Sequence, residues 1–264
     1  MPRELYFILS LGVKMAVTAA FLLAATIVAE RAGPLVGGLV ATLPISAGPV
    51  YFFLALDHDA QFIAQAALGS LVTNALNAVF AVAYALLAQQ RSLTMSLLGA
   101  YATWLALSFA TRFVHWNLAL ALAFNVAVIA VSWWVVQPLR HARVPPVRAR
   151  WYDLVMRALM IVVLVGMVVT LSFTIGAIST GNLAVFPMVL TSIAVVLHRR
   201  IGGPATAAIL ANAVIGLGGF GIAVAALYLT AEQFGLPLAL SLALAVSIGC
   251  NMFLYVMRKR AAMA

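Results

Sequence analysis

The chain has 264 residues, 66% hydrophobic and 8% charged, against roughly a quarter charged in a soluble domain. So few polar side chains could not cover the surface of a soluble fold of this length, whereas lipid as solvent removes the conflict. The formal net charge of +9 does not point to nucleic acid, because the Lys and Arg stand at the ends of apolar runs, where they orient helices and meet anionic headgroups.

Charge clusters, Gly and Pro divide the chain into about nine apolar runs, most at or above the roughly 20 residues a spanning helix needs, with the one holding Pro187 too short to span comfortably. They cover 5–29, 34–56, 60–88, 92–111, 115–137, 152–176, 182–197, 204–230 and 236–257. The first is too long for a signal-peptide core and ends at Glu30-Arg31 rather than at a small-residue cleavage site, so it reads as a retained helix. Between the fifth and sixth runs lies the polar linker from Arg140 to Arg150, stiffened by Pro145-Pro146. Placing it in the cytoplasm puts Arg31, Arg91, His198-Arg199-Arg200 and Arg258-Lys259-Arg260 on the same side, with only Arg3 and Arg112 dissenting. The N-terminus is then outside and the C-terminus cytoplasmic. The single cysteine, Cys250, lies in the last run and has no partner for a disulfide or a metal pair.

An internal repeat is visible at the 143-residue offset from Lys14 to Arg157. The same offset carries Gly33 onto Gly176, Gly38 onto Gly181 and Pro44 onto Pro187. The expected fold is therefore all-α and polytopic, arranged as four helices, one linker helix and four helices. Residues 1–114 form the first repeat, 115–151 the linker helix and basic loop, and 152–264 the second repeat. One crossing by the linker helix inverts the second unit, an arrangement recurrent in secondary transporters.

The second helix of each unit is interrupted, by Pro44 with Ser46 in the first and by Pro187 in the second. Proline removes an N–H and frees the carbonyl four residues back. Matching interruptions in two halves point to a transport site, with a simple packing kink as the alternative. Lys14 lies about nine residues into its run, roughly 13 Å along the helix. A charge at the bilayer centre costs at least about 2.5–3.5 kcal/mol, so Lys14 reads as an anion holder, with snorkelling toward headgroups or pairing to Glu30, Asp57 or Asp153 as the competing account. Arg157 is shallower, and Asp153 four residues before it offers a pair on the same face. Asn74, Asn77 and Tyr84 share one helical stripe, and Tyr101, Trp104, Ser108 and Arg112 another. Together with Asn125, Asn212 and Asn251 they are either helix glue or the lining of a polar cavity.

Asp57-His58-Asp59 has weak metal-ligand spacing and reads as a solvated turn. Gly216-Leu217-Gly218-Gly219-Phe220-Gly221 lacks the Lys-Ser/Thr of a phosphate loop and suits close helix contact. No catalytic constellation and no cofactor or metal motif stands out.

The stretch from Lys14 through Ala29-Glu30-Arg31-Ala32-Gly33-Pro34-Leu35-Val36-Gly37-Gly38-Leu39-Val40-Ala41-Thr42-Leu43-Pro44 resembles the signature of small uncharacterised four-helix bacterial membrane proteins. The resemblance covers the first repeat only. The second keeps the Gly and Pro positions but has Phe173-Thr174 where the Glu-Arg pair stands. The resemblance implies that one repeat can exist alone and dimerise upside down, and homodimerisation stays open for this chain. In architecture it is similar to drug/metabolite-type transporters, which alone does not establish function.

The expected activity is alternating-access transport of a small anionic or polar solute in a bacterial inner membrane. The expected substrate-binding residues are Lys14, Pro44, Ser46, Asn74, Asn77, Tyr101, Arg157, Pro187 and Asn212, with Glu30 as the coupling carboxylate. The expected partners are the lipid bilayer and the solute, without nucleic acid. The alternatives are a membrane subunit that works with partner proteins and a lipid-handling flippase or enzyme.

Overall fold

A computed structural model describes residues 3–31, 47–140, 142–145 and 150–261. Among them the fold is entirely helical. In chain order the helices are α1 (Arg3–Arg31), α2 (Ala47–Asp57), α3 (Ala60–Leu87), α4 (Leu93–Ala110), α5 (Leu118–Val136), α6 (Trp151–Ile175), α7 (Ala177–Ala184), α8 (Met188–Ile201), α9 (Gly203–Phe234) and α10 (Leu236–Ala261). Seven segments are long and apolar enough to cross a membrane, with α7 and α8 counting together as Ala177–Ile201. Leu9–Phe21 and Ala47–Asp57 are shorter apolar helices. The chain is thus read as membrane-embedded.

Local chemistry sets the helix boundaries. Asp59, Ser92 and Asn117 each accept a first-turn N–H, from Phe62, Met95 and Leu120, and so start α3, α4 and α5. The α6/α7, α8/α9 and α9/α10 boundaries fall at Gly176, Gly202 and Gly235, with φ near +80°, a conformation only glycine adopts cheaply.

The most deeply buried span is α3, which packs along α9. Helix α5 lies against both. Around this centre α1 packs on α6, α4 on α8, and α2 on α10. Charges sort to the two ends. Tyr84 bonds His198, Arg200 bonds Asp153 and Arg140 bonds Asn212, which gathers the Arg-rich termini at one end. The bond from His58 to Ser172 places the α2/α3 turn at the other end.

Candidate functional site

The interruption expected near Pro187 is present. Helix α7 ends at Ala184, Val185-Phe186 cross over, and Pro187 starts α8. The carbonyls freed there need donors, because lipid offers none. They come from the α3 stripe. Ser70 donates to Gly181 O (2.7 Å) and Asn77 Nδ2 to Val185 O (2.7 Å). The Oδ1 of Asn77 accepts from Trp104 Nε1 at 3.0 Å, and Thr73 Oγ1 donates to Asn182 Oδ1 at 3.0 Å. Close approach makes this reach possible. A β-carbon at Gly181 would stand 1.8 Å from Ala66 O, and one at Gly69 would stand 2.2 Å from Ile178 O. Phe186 is held between Tyr101, stacked at 5.6 Å, and Trp104, edge-on at 5.1 Å. Tyr101 bonds Thr191, whose hydroxyl donates to Pro187 O.

Asn77, Tyr101 and Pro187 are therefore brought together. Asn74 lies one turn away on α3 and turns to the α9 side, where its Nδ2 donates to Leu217 O at 2.8 Å. Its Oδ1 is buried without a partner. Asn125 of α5 donates to Leu71 O nearby.

Beside Asn182 lies a cavity of about 340 Å³, whose walls mix apolar side chains such as Leu68, Val72 and Ile178 with polar ones. Thr111, Arg112, His115 and Trp116, from the turn joining α4 to α5, form one wall. Ser179 and Asn182 of α7 face them across it. The turn is fixed by Trp116 Nε1 donating to Thr111 O at 2.9 Å. Arg112 is exposed and takes part in neither of the two ion pairs among the described residues. In the sequence Arg112 is marked twice, as a dissenter from the positive-inside pattern and as the last member of the stripe with Tyr101, Trp104 and Ser108.

Lys14 stands apart from this cavity and is ion-paired with Asp57, with both side chains largely buried. The pair ties α1 to the end of α2. Next to it His58 stacks on Phe62 at 3.8 Å and bonds Ser172 at 2.8 Å. Asp59 is used as the α3 cap. Asp57, His58 and Asp59 thus serve three different partners, and among the described residues no group of three potential ligands could hold a metal. Burial holds the His58 pKa below its ordinary value of 6.5, against the pull of Asp57 and Asp59, and Lys14 pushes the same way as burial. The folded state then binds fewer protons at His58 than the unfolded chain does. Its contribution is present above about pH 6.5 and is lost as the pH falls below that value. Replacing His58 by Gln should flatten the fall in melting temperature on acidification from pH 7 to 5.5. An unchanged slope would show that His58 does not set it.

The pairing expected between Arg157 and Asp153 is corrected by the structure. The Asp153 carboxylate is taken by the Arg200 fork, at 2.7 and 2.5 Å, and also accepts Arg150 N–H at 2.9 Å. A planar guanidinium arriving from the last turn of α8 meets both carboxylate oxygens, which outcompetes a neighbour one turn along the same helix. Arg157 is exposed on α6 with no ion pair among the described residues. Asn212 accepts from Arg140 Nε at 3.1 Å, at the basic end. Pro44, Ser46 and the side chain of Glu30 lie outside the described residues.

A second cavity, of about 490 Å³, lies between α1, α2, α9 and α10. It is apolar, with Val17, Phe21, Phe52 and Leu244 among its lining, and these four are exposed on the outer surface. No protein-family model, curated protein or solved structure matches this chain.

Proposed function

We propose that the chain is a secondary transporter of a small anionic or polar solute, working by alternating access between two inverted four-helix units joined by α5. In this reading it crosses a bacterial inner membrane about nine times. Its N-terminus is outside, and its Arg-rich end faces the cytoplasm. The observation that carries the reading is which helices touch. Under the 143-residue offset α1 corresponds to α6, α3 to α9, and α4 to α10, while α8 falls in the second position of its unit, as α2 does in the first. Each of the first two pairs packs on its own counterpart, and the remaining contacts are reciprocal, α4 on α8 and α10 on α2. Asn74 donates to Leu217, which stands 143 residues on. Counterparts meeting at the same register are what an axis in the membrane plane requires, and a passive scaffold has no need of one.

The test is flux. Proteoliposomes should accumulate at least one labelled anion from a panel of phosphate, sulfate and succinate above protein-free vesicles. Absence of flux for every solute would sink the reading.

Lys14 enters this scheme through its exchange between Asp57 and an incoming anion. Lys14→Met alone leaves the Asp57 carboxylate unpaired and part-buried, a loss of about 1–3 kcal/mol, so its effect on transport is ambiguous. Lys14→Met with Asp57→Asn removes both charges and should recover most of that stability. Flux should remain at background in the double variant if Lys14 handles the anion. Normal flux would reduce the pair to a tie between α1 and α2.

The apolar cleft gives a second reading its one supporting observation. A lipid-handling protein would want a cavity open sideways to the bilayer, and exposed Phe21 and Phe52 line such an opening. Transbilayer movement of a fluorescent phospholipid in the same proteoliposomes, without anion flux, would favour it.

A further inference from the structure

We propose that the cavity between the α4/α5 turn and α7 is an anion-binding site, with Arg112 as its principal ligand. The proposal deepens the transport reading, on which only its role in translocation rests. Four observations converge on it. The first is position. The basic side chains of the bundle gather at the end holding Arg91, Arg140, Arg199 and Arg200, and Arg112 sits at the opposite end. A cation on the sparsely basic side gains nothing from the pattern that orients the helices. The second is availability. Of the acids near that end, Asp57 pairs with Lys14 and Asp59 caps α3, while Glu232 of α9 is exposed and in no ion pair among the described residues, and it does not line the cavity. Arg112 is left with its five donors and no ion pair among the described residues.

The third is enclosure. Arg112 lines a built cavity of about 340 Å³, room for a small organic or inorganic anion. Its other polar walls are His115, Thr111, Ser179 and Asn182. Asn182 Oδ1 already accepts from Thr73, which fixes the amide and leaves its N–H₂ as the donor. The fourth is rigidity. The wall bearing Arg112 is pinned by the bond from Trp116 to Thr111 O, and the α7 wall is pinned at Gly181 by Ser70. A planar guanidinium lining the same cavity as a fixed amide suits carboxylate or phosphate oxygens, which accept two parallel N–H bonds. No acidic side chain lines the cavity, and its one charged side chain is a cation, so its electrostatics favour an anion.

Trp116 in the same wall supplies a local reporter. Purified protein would be titrated with sodium phosphate, sodium sulfate and disodium succinate at constant ionic strength, following tryptophan fluorescence. The expected result is a saturable change with at least one of these anions. The dissociation constant should rise at least tenfold in Arg112→Gln and less in Arg112→Lys. Ser179→Asp gives an independent variant. It puts a carboxylate into the cavity while sitting in the first turn of α7, where an acidic side chain suits the helix. It should abolish binding with the melting temperature unchanged. No saturable response to any of the three anions, or equal affinity in Arg112→Gln and Ser179→Asp, overturns the proposal. Saturable binding in detergent without flux in proteoliposomes supports the site and counts against the transport reading instead.

Discussion

Gly181→Ala should destabilise the protein by about 3 kcal/mol or more, at the upper end of what overpacking costs. The β-carbon would stand 1.8 Å from Ala66 O and 2.6 Å from Ala66 C, both main-chain atoms of α3. No rotamer change relieves a clash with backbone, so α3 and α7 must separate. Separation also stretches the bonds from Ser70 to Gly181 O and from Thr73 to Asn182, and the loss propagates along the break. The matched control is Gly218→Ala, in the interior of α9, where nothing lies within 4 Å of the new carbon. There the substitution replaces a poor helix former with the best one and should be neutral or stabilising by up to about 1 kcal/mol. Thermal unfolding of the two variants in the same detergent is the measurement. Equal melting temperatures would mean that α3 and α7 are not in contact at Gly181.

Asn77→Leu should cost about 2–4 kcal/mol, because it orphans two buried groups at roughly 1–3 kcal/mol each. The carbonyl of Val185 and the indole N–H of Trp104 both depend on this amide. Side-chain hydrogen bonds between membrane helices average only about 0.6 kcal/mol, since the unpaired groups usually find other partners. Val185 sits at a helix break, where its carbonyl has already lost its place in the helical ladder, and this raises the expectation above the average. A cycle with Trp104→Phe isolates the shared part. The double variant should be less destabilised than the sum of the singles by about 1 kcal/mol, because the second change removes a donor that the first had already orphaned. Strict additivity would show that Asn77 and Trp104 do not act together.

Seven of the nine expected spans meet helices long and apolar enough to cross a membrane, and they were legible because each is an apolar run bounded by charge, Gly or Pro. The break at Pro187 was legible for the same local reason, a missing N–H within a run too short to span. The α3 stripe was legible as a stripe from its three- and four-residue spacing, but its purpose was not. Only in three dimensions do Ser70 and Asn77 meet carbonyls of Gly181 and Val185, more than 100 residues away. Charge pairing was the least legible feature. The nearest acid in sequence suggested Asp153 for Arg157, whereas the fold delivers Arg200 to it, and among three acids considered for Lys14 it selects Asp57. Arg112 was legible as the end of a polar stripe but its partners on α7 were not, because a ligand set drawn from a turn and from a helix far along the chain leaves no spacing to read.

Two-sided access to the middle of the bundle is the most direct test of the transport reading. Asn182 bonds Thr73, which stands halfway along α3, so a thiol at this position sits near the midplane. With Cys250→Ser removing the only native thiol, Asn182→Cys would be exposed to a membrane-impermeant methanethiosulfonate in right-side-out and inside-out vesicles. Alternating access predicts modification from both faces, with the ratio of the two rates shifted by a transported anion. Modification from the Arg112 face alone, under every solute condition, would contradict it and leave a one-sided pocket.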